Sequence, residues 1–296
     1  MTVTASMVKQ LRTRSGAGMM ECKKALVETA GDIEAAISHL RKSGAAKAAK
    51  KAGRIAAEGK ILILAGTDKS FLLEVNSETD FVAKDSNFAS FCEDVGAALL
   101  LESSGNVDEL LASRTSSGES LEDKRLELIS TVGENISVRR FVVIEKSSGI
   151  IESYAHGDRI GVLVELQGGE PELARSIAMH IAASNPVCIS DSDLDSAFLD
   201  KEKSIYLAQA KESGKPANII EKMVEGRMKK FKSEVTLNGQ AYVKDPDQTV
   251  GELLRANEAR VIAFERFELG EGVEKKQENF AEEVQAQAQS AVKNQP

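Results

Sequence analysis

An order of apolar segments runs twice through this chain of 296 residues, and few folds accommodate it. Ile61-Leu-Ile-Leu64 and Phe71-Leu-Leu-Glu-Val75, joined by Gly66-Thr67-Asp68, read as a β-hairpin followed by a helix at about 87–101. Ile150-Ile-Glu-Ser-Tyr154 and Gly161-Val-Leu-Val-Glu-Leu166, joined through His156-Gly157-Asp158, read the same way 91 residues later, with a helix at about 172–183. Each half closes on a similar strand, at 136–144 and 261–269. Aligning Arg140-Phe141 on Arg266-Phe267 gives an offset of 126, so the second half should hold about 35 extra residues between its helix and its last strand. A helical hairpin fills that place, with arms at about 194–212 and 217–232 around Ser213-Gly214-Lys215-Pro216. Ile219, Ile220, Met223, Val224, Met228 and Phe231 form a stripe predicted to pack on Leu199, Tyr206 and Ala210. Arms of that length would project about 25–30 Å.

Ahead of the repeat, Thr4 is a candidate cap for a helix carrying Met7, Val8 and Leu11. A second helix, at about 19–30, places Cys22, Ala25 and Leu26 on one face; Gly31 ends it, and Asp32 caps a third that carries Ile33, Ala36, Ile37 and Leu40. The stretch 44–53 reads as a basic connector compatible with helix. Beyond Gly270-Glu271-Gly272, Phe280, Val284, Ala288, Ala291 and Val292 share one helical face, a narrow stripe suited to docking. These signals divide an α+β chain into 1–54, 55–146, 147–190 with 234–272, the hairpin insert 191–233, and a C-terminal helical module at 273–296.

Charge narrows the function classes. Forty-six acidic against 38 basic residues leave a formal charge of -8, which argues against a general nucleic-acid coat. Residues 1–60 carry +7 and 201–233 carry +5, so the rest sums to -20, a pattern suited to oriented docking. Cys22, Cys92 and Cys188 lie too far apart in sequence for a Cys-x-x-Cys pair and read as inert thiols of a reducing compartment. No signal-peptide core or membrane-length apolar run is seen, so a soluble, cytoplasmic protein is expected. Asn135-Ile-Ser137 spells a glycosylation acceptor but has no expected secretion route. Phosphate-loop, dinucleotide, metalloprotease and nucleophile-elbow patterns are missing from the sequence; neither an enzyme, a cofactor nor a metal site is expected.

Two segments fit a purely structural role poorly. In Asn76-Ser-Glu-Thr-Asp-Phe-Val-Ala-Lys84, either Thr79 or Asp80 caps a helix while Phe81 and Val82 pack on the core, or Phe81 is an exposed wedge beside a carboxylate. In Arg14-Ser-Gly-Ala-Gly-Met-Met-Glu-Cys-Lys-Lys24, Met19 and Met20 either fill a small core or leave one side chain for a partner, since neighbours on a helix cannot both face inward. His156 reads as a solvated turn residue and His180 as a core histidine. Lys47, Lys50, Lys51 and Arg54 read as a solvated face, with an RNA or ribosome contact as the rival.

Both segments, extended to Leu26 and from Leu73, closely resemble the signature segments of bacterial-type elongation factor Ts. Further matches are His156-Gly157-Asp-Arg-Ile-Gly-Val-Leu163, Ile177-Ala-Met-His-Ile-Ala-Ala-Ser184, Lys222-Met-Val-Glu-Gly-Arg-Met-Lys-Lys-Phe231 and Thr249-Val-Gly-Glu-Leu253. The resemblance runs from Thr4 to about Val284; Ser77 stands where many relatives have Cys, and 102–121 and the tail after Ala288 match no pattern. It implies a ubiquitin-associated-like three-helix module, two related α+β core subdomains, a protruding antiparallel helical hairpin and a C-terminal helix. It also implies a guanine-nucleotide exchange factor for elongation factor Tu in protein biosynthesis. By that analogy Thr79, Asp80, Phe81 and Val82 form a wedge that dislocates the partner's Mg²⁺, His156 approaches its phosphate loop, and Met19, Met20 and Lys23 grip its GTPase domain elsewhere. Elongation factor Tu is then the expected partner, with no direct nucleic acid and no membrane, and a homodimer through the hairpin is left open. The rivals are an RNA-associated module and a plain interaction scaffold.

Overall fold

The computed structural model describes residues 3–15, 17–102, 104–115 and 118–273, so the stripe at 280–292 lies outside the described residues. Three helices open the chain, α1 (Ala5–Ser15), α2 (Met19–Glu28) and α3 (Ile33–Lys51). Thr4 Oγ1 accepts from Met7 N–H at 3.3 Å, satisfying one unpaired donor at the start of α1. After α2 the backbone turns left-handed at Ala30 and Gly31 (φ 53° and 89°), and Gly31 N–H returns to the Leu26 carbonyl at 2.8 Å. Asp32 then caps α3, accepting from Ala35 N–H at 3.0 Å. Val8, Leu11, Cys22, Ala25, Leu26 and Ala36 form the core these helices share. The connector is not a separate segment: α3 continues unbroken through Gly44 and Ala48, both buried, to Lys51.

The first hairpin is β1 (Glu58–Ala65) and β2 (Lys69–Ser77), and β3 (Ser137–Glu145) completes an antiparallel sheet with β2 in the centre. Between β2 and β3 run α4 (Asp80–Ala83), α5 (Ser86–Leu101), α6 (Val107–Ala112) and α7 (Leu121–Val132). Helix α6 lies in the stretch 102–121 that matched no pattern, and α7 follows it. Asn106 and Ser120 cap them, acidic residues fill their first turns, and Gly133 at φ 81° closes α7. Helix α3 packs on α7, and Phe71, Leu73 and Val75 of β2 bury against Phe88, Phe91 and Val95 of α5.

The second half runs β4 (Ile150–His156), β5 (Ile160–Gln167), α8 (Pro171–Ser184), a 3₁₀ turn at Asp191–Asp193, α9 (Ser196–Glu212), α10 (Ala217–Val235), β6 (Ala241–Tyr242), β7 (Asp245–Thr249), α11 (Val250–Ala256) and β8 (Arg260–Glu268). Strands β4, β5 and β8 make the second antiparallel sheet, with β5 in the centre. Its outer face, Val162, Val164 and Leu166, buries against Ile177, Ala178 and Ile181 of α8. Helices α9 and α10 form the expected hairpin, where Phe231 meets Phe198 and Tyr206 with ring centroids 5.5 and 6.2 Å apart. The small hairpin β6–β7 and α11 follow, neither of them expected from periodicity; Thr249 and Glu252 form a reciprocal capping box at the start of α11.

The inner faces of the two sheets pack together through Ile61, Leu72, Ile144, Leu163, Phe267 and Leu269. Approach is closest at Gly161, where an added Cβ would lie 2.6 Å from Ile61 Cγ2, so no larger residue fits without a shift. Each sheet carries a register break at the same place, between Glu74 and Val75 and between Glu165 and Leu166, 91 residues apart. Across those breaks Arg140 pairs with Glu74 and Ala263 with Glu165, so the closing strands are offset by 123 residues (140 to 263), not 126. A slip of three is odd and turns a strand's faces over. Phe141 accordingly packs toward the helix-covered core, whereas Phe267 lies between the sheets, where its counterpart is Ile144. The insertion relative to the first half is therefore about 32 residues, by the same register.

Glu74 and Glu165 are both buried on the inner faces, and each reaches past the closing strand of the opposite sheet. Glu74 accepts from Gly270 N–H at 2.8 Å, beyond the end of β8, as well as from Arg139, Arg140 and Asn76. Glu165 accepts from Ser147, Ser148 and Gly149 N–H at 2.8–3.0 Å, beyond the end of β3. Burial by itself would raise both carboxyl pKa values; these donors outweigh it and hold both below the usual range.

Candidate partner-binding surface

Strand β2 ends at Ser77, and the chain turns at once into the four-residue α4. Thr79 is its cap, accepting from Val82 N–H at 3.4 Å, and Ser77 Oγ donates to the Thr79 carbonyl at 2.9 Å. Of the two readings of this segment, capping holds for Thr79, and Val82 and Ala83 pack on the core. Phe81 does not: it is 81% exposed. Asp80 beside it pairs with Lys84 at 2.7 Å, and that ammonium, first by hydrogen bond and then by charge, lowers the Asp80 pKa.

Sequence reasoning missed the support beneath this turn. Glu134, just past Gly133, accepts from Thr79 N–H at 3.0 Å and from Thr79 Oγ–H at 2.7 Å. Asn135 donates its N–H to Glu78 at 2.6 Å and its side-chain amide to the Arg54 carbonyl at 2.9 Å. The glycosylation-like triplet thus begins with a buried structural asparagine.

His156 lies exposed at the end of β4, its ring stacked on Tyr154 with centroids 6.5 Å apart. The turn it opens borders β1: Asp158 O accepts from Ile61 N–H at 2.8 Å, and Arg159 donates to Glu58 at 3.1 Å. Glu58 is the register partner of Ser77. The α4 turn and the His156 turn therefore flank the same end of β1. Met19, Met20 and Lys23 sit apart on α2, all exposed, the two methionines at 59% and 73%. Val27, 61% exposed, extends that face one further turn and was not singled out from sequence.

His180 is buried, its Nδ1 accepting from Val243 N–H at 3.2 Å while Nε2–H donates to Gln240 at 3.0 Å. Burial lowers its pKa and keeps it neutral, the core role read from sequence. Cys22 and Cys92 are buried, and burial pushes the Cys92 thiol up to about 12. Of the basic N-terminal residues, Lys47 pairs with Glu21, Arg41 with Glu119 at 2.6 Å and Arg54 with Glu78 at 3.4 Å. Among the described residues no group of three or more His, Cys, Asp or Glu could hold a metal ion, and no helix is long and apolar enough to cross a membrane.

Two face-to-face sheets with outer helices, exposing a phenylalanine at the end of a central strand and a methionine pair on a separate helix, define a mixed α+β protein whose candidate site is a surface. The Elongation factor TS family model matches residues 78–271. Elongation factor Ts of Thioalkalivibrio sulfidiphilus is 58% identical over 294 residues, covering 98% of this chain and 100% of that protein. Those of Methylococcus capsulatus and Coxiella burnetii are 55% and 53% identical, covering 98% and 97% of this chain and 100% and 98% of theirs. The chain belongs to the elongation factor Ts family.

Proposed function

We propose that this chain promotes release of GDP from elongation factor Tu, so that GTP can bind, by inserting the Asp80–Phe81 end of α4 beside the partner's Mg²⁺ site. Family membership carries the exchange role in translation elongation. The observation that carries the wedge is Phe81, a large apolar side chain held outside the core by a capped turn. Mg²⁺ screens the phosphates of a bound nucleotide, so dislocating it weakens GDP binding without any covalent step. His156, flanking the same end of β1, approaches the phosphate loop, and Met19, Met20 and Lys23 grip the GTPase domain at a second point. Coupling of this kind is reciprocal: the factor by which this chain weakens GDP binding is the factor by which GDP weakens its own binding.

The chain is an exchange factor and not a catalyst of bond chemistry, acting in the cytoplasm without nucleic acid, membrane or cofactor. The proposed divisions are a ubiquitin-associated-like module with its connector at 1–54, related core subdomains at 55–146 and 147–190 with 234–272, and a C-terminal module at 273–296. The hairpin at 191–233 serves as a second contact, for the partner or for a second copy. Stopped-flow release of a fluorescent GDP from elongation factor Tu is the test. Wild-type protein should raise the release rate in a saturable way, and an unchanged rate would overturn the reading.

A further inference from the structure

We propose that Glu134, between α7 and β3, is the positioning residue of the wedge; this rests on the wedge reading above. Its two carboxylate oxygens take the backbone N–H and the hydroxyl of one residue, Thr79, at 3.0 and 2.7 Å. With its proton committed to Glu134, Thr79 Oγ1 turns a lone pair to Val82 N–H, and the Thr79 carbonyl is held by Ser77 at 2.9 Å. Donor, acceptor and side chain of Thr79 are thus all fixed. The neighbouring residues repeat the grip, since Asn135 N–H donates to Glu78 at 2.6 Å.

A four-residue helix has no stability of its own. The direction in which α4 presents Phe81 is therefore set by what holds its cap, and the charged acceptor there is Glu134. Helix α7 does not account for Glu134. A carboxylate just past a helix C-terminus is disfavoured by the helix dipole, so this one is placed for the neighbour it binds.

The test uses the full chain and fluorescent GDP on elongation factor Tu, with release followed against exchange-factor concentration. Glu134→Ala should lower the saturating release rate by about tenfold while the half-saturating concentration moves less, because misplacing a contacting group costs rate. Thr79→Val should also lower the saturating rate, and the double variant Thr79→Val/Glu134→Ala should lose less than the two single losses combined, because both act on one hydrogen-bonded pair. Amide exchange of Val82, Ala83 and Lys84 should rise in Glu134→Ala while that of β5 stays unchanged, which reports a loosened wedge in a folded protein. Glu134→Gln, which keeps one acceptor oxygen, should fall between Glu134→Ala and wild type. A wild-type saturating rate in Glu134→Ala, or additive losses in the double variant, overturns the proposal while a slow Phe81→Ala leaves the wedge standing. Phe81→Ala at wild-type speed instead overturns the wedge reading itself.

Discussion

Phe81 shows how little the type of a residue says about its burial. Burying a phenylalanine is worth about 1.5–3 kcal/mol, and the sequence places this one between an acid and an aliphatic residue that does pack inward. Only the geometry of α4 separates it from Val82: the single turn capped at Thr79 faces Val82 and Ala83 to the core and leaves Phe81 outside it. Since Phe81 makes little contact with its own protein, Phe81→Ala should leave stability within about 0.5 kcal/mol, as for other exposed substitutions. Exchange should slow markedly in the same variant. Thermal unfolding beside the stopped-flow assay checks both halves; a large drop in midpoint would show that Phe81 is a packing residue. The signature motifs made the exposed residues legible, whereas Glu134 was not, because its partner lies 55 positions away and no local pattern announces such a contact.

Elements were legible where their period was clean and their caps were local. The hairpins, the helix after each, and the long arms α9 and α10 emerge from alternation and stripes. Helices α6 and α7 did not, although Asn106, Ser120 and Gly133 mark their ends, because α6 is too short for a stripe to accumulate. Helix α3 runs through Gly44 into a stretch the sequence marks only as a connector compatible with helix, because glycine costs about 1 kcal/mol inside a helix. Tertiary packing overrides that cost by seating α3 on α7. An added Cβ at Gly44 would meet the Leu126 carbonyl at 3.7 Å and Ser130 Cβ at 3.8 Å, ordinary contacts. Gly44→Ala should therefore stabilise the protein by about 0.5–1 kcal/mol. A higher urea midpoint with an unchanged slope is the expected result, and a lower midpoint would show that the two helices have no room to spare.

At the scale of the whole molecule, the two sheets are joined by apolar packing and by two buried carboxylates. Both have depressed pKa values, so each contributes stability that is fully present above the ordinary carboxylate pKa and is lost as pH falls through the folded-state value. Acid unfolding should follow. Glu165→Gln should cost about 1–3 kcal/mol near neutral pH, the range for leaving buried donors poorly matched. Glu74→Gln, which strips the charge from two arginines, should cost about 3–5 kcal/mol. Both variants should also show a flatter fall in stability between about pH 5 and pH 2, measured by denaturant titration across pH. A slope equal to wild type would remove these groups from the acid response. The sequence held the repeat that places the two glutamates 91 residues apart, but an Arg-Phe coincidence set the offset of the closing strands wrong by three, which only strand register corrects.

That equivalence extends to what the acids hold. Ser147 and Gly270, the residues whose N–H groups they accept, are themselves 123 positions apart, the spacing of the closing strands. Each half thus extends its tail to the acid of the other, as two identical half-length chains would across a twofold axis. The core has the form of a symmetric dimer written into one polypeptide, in which a backbone N–H from beyond each closing strand completes the hydrogen bonds of the other sheet's buried acid.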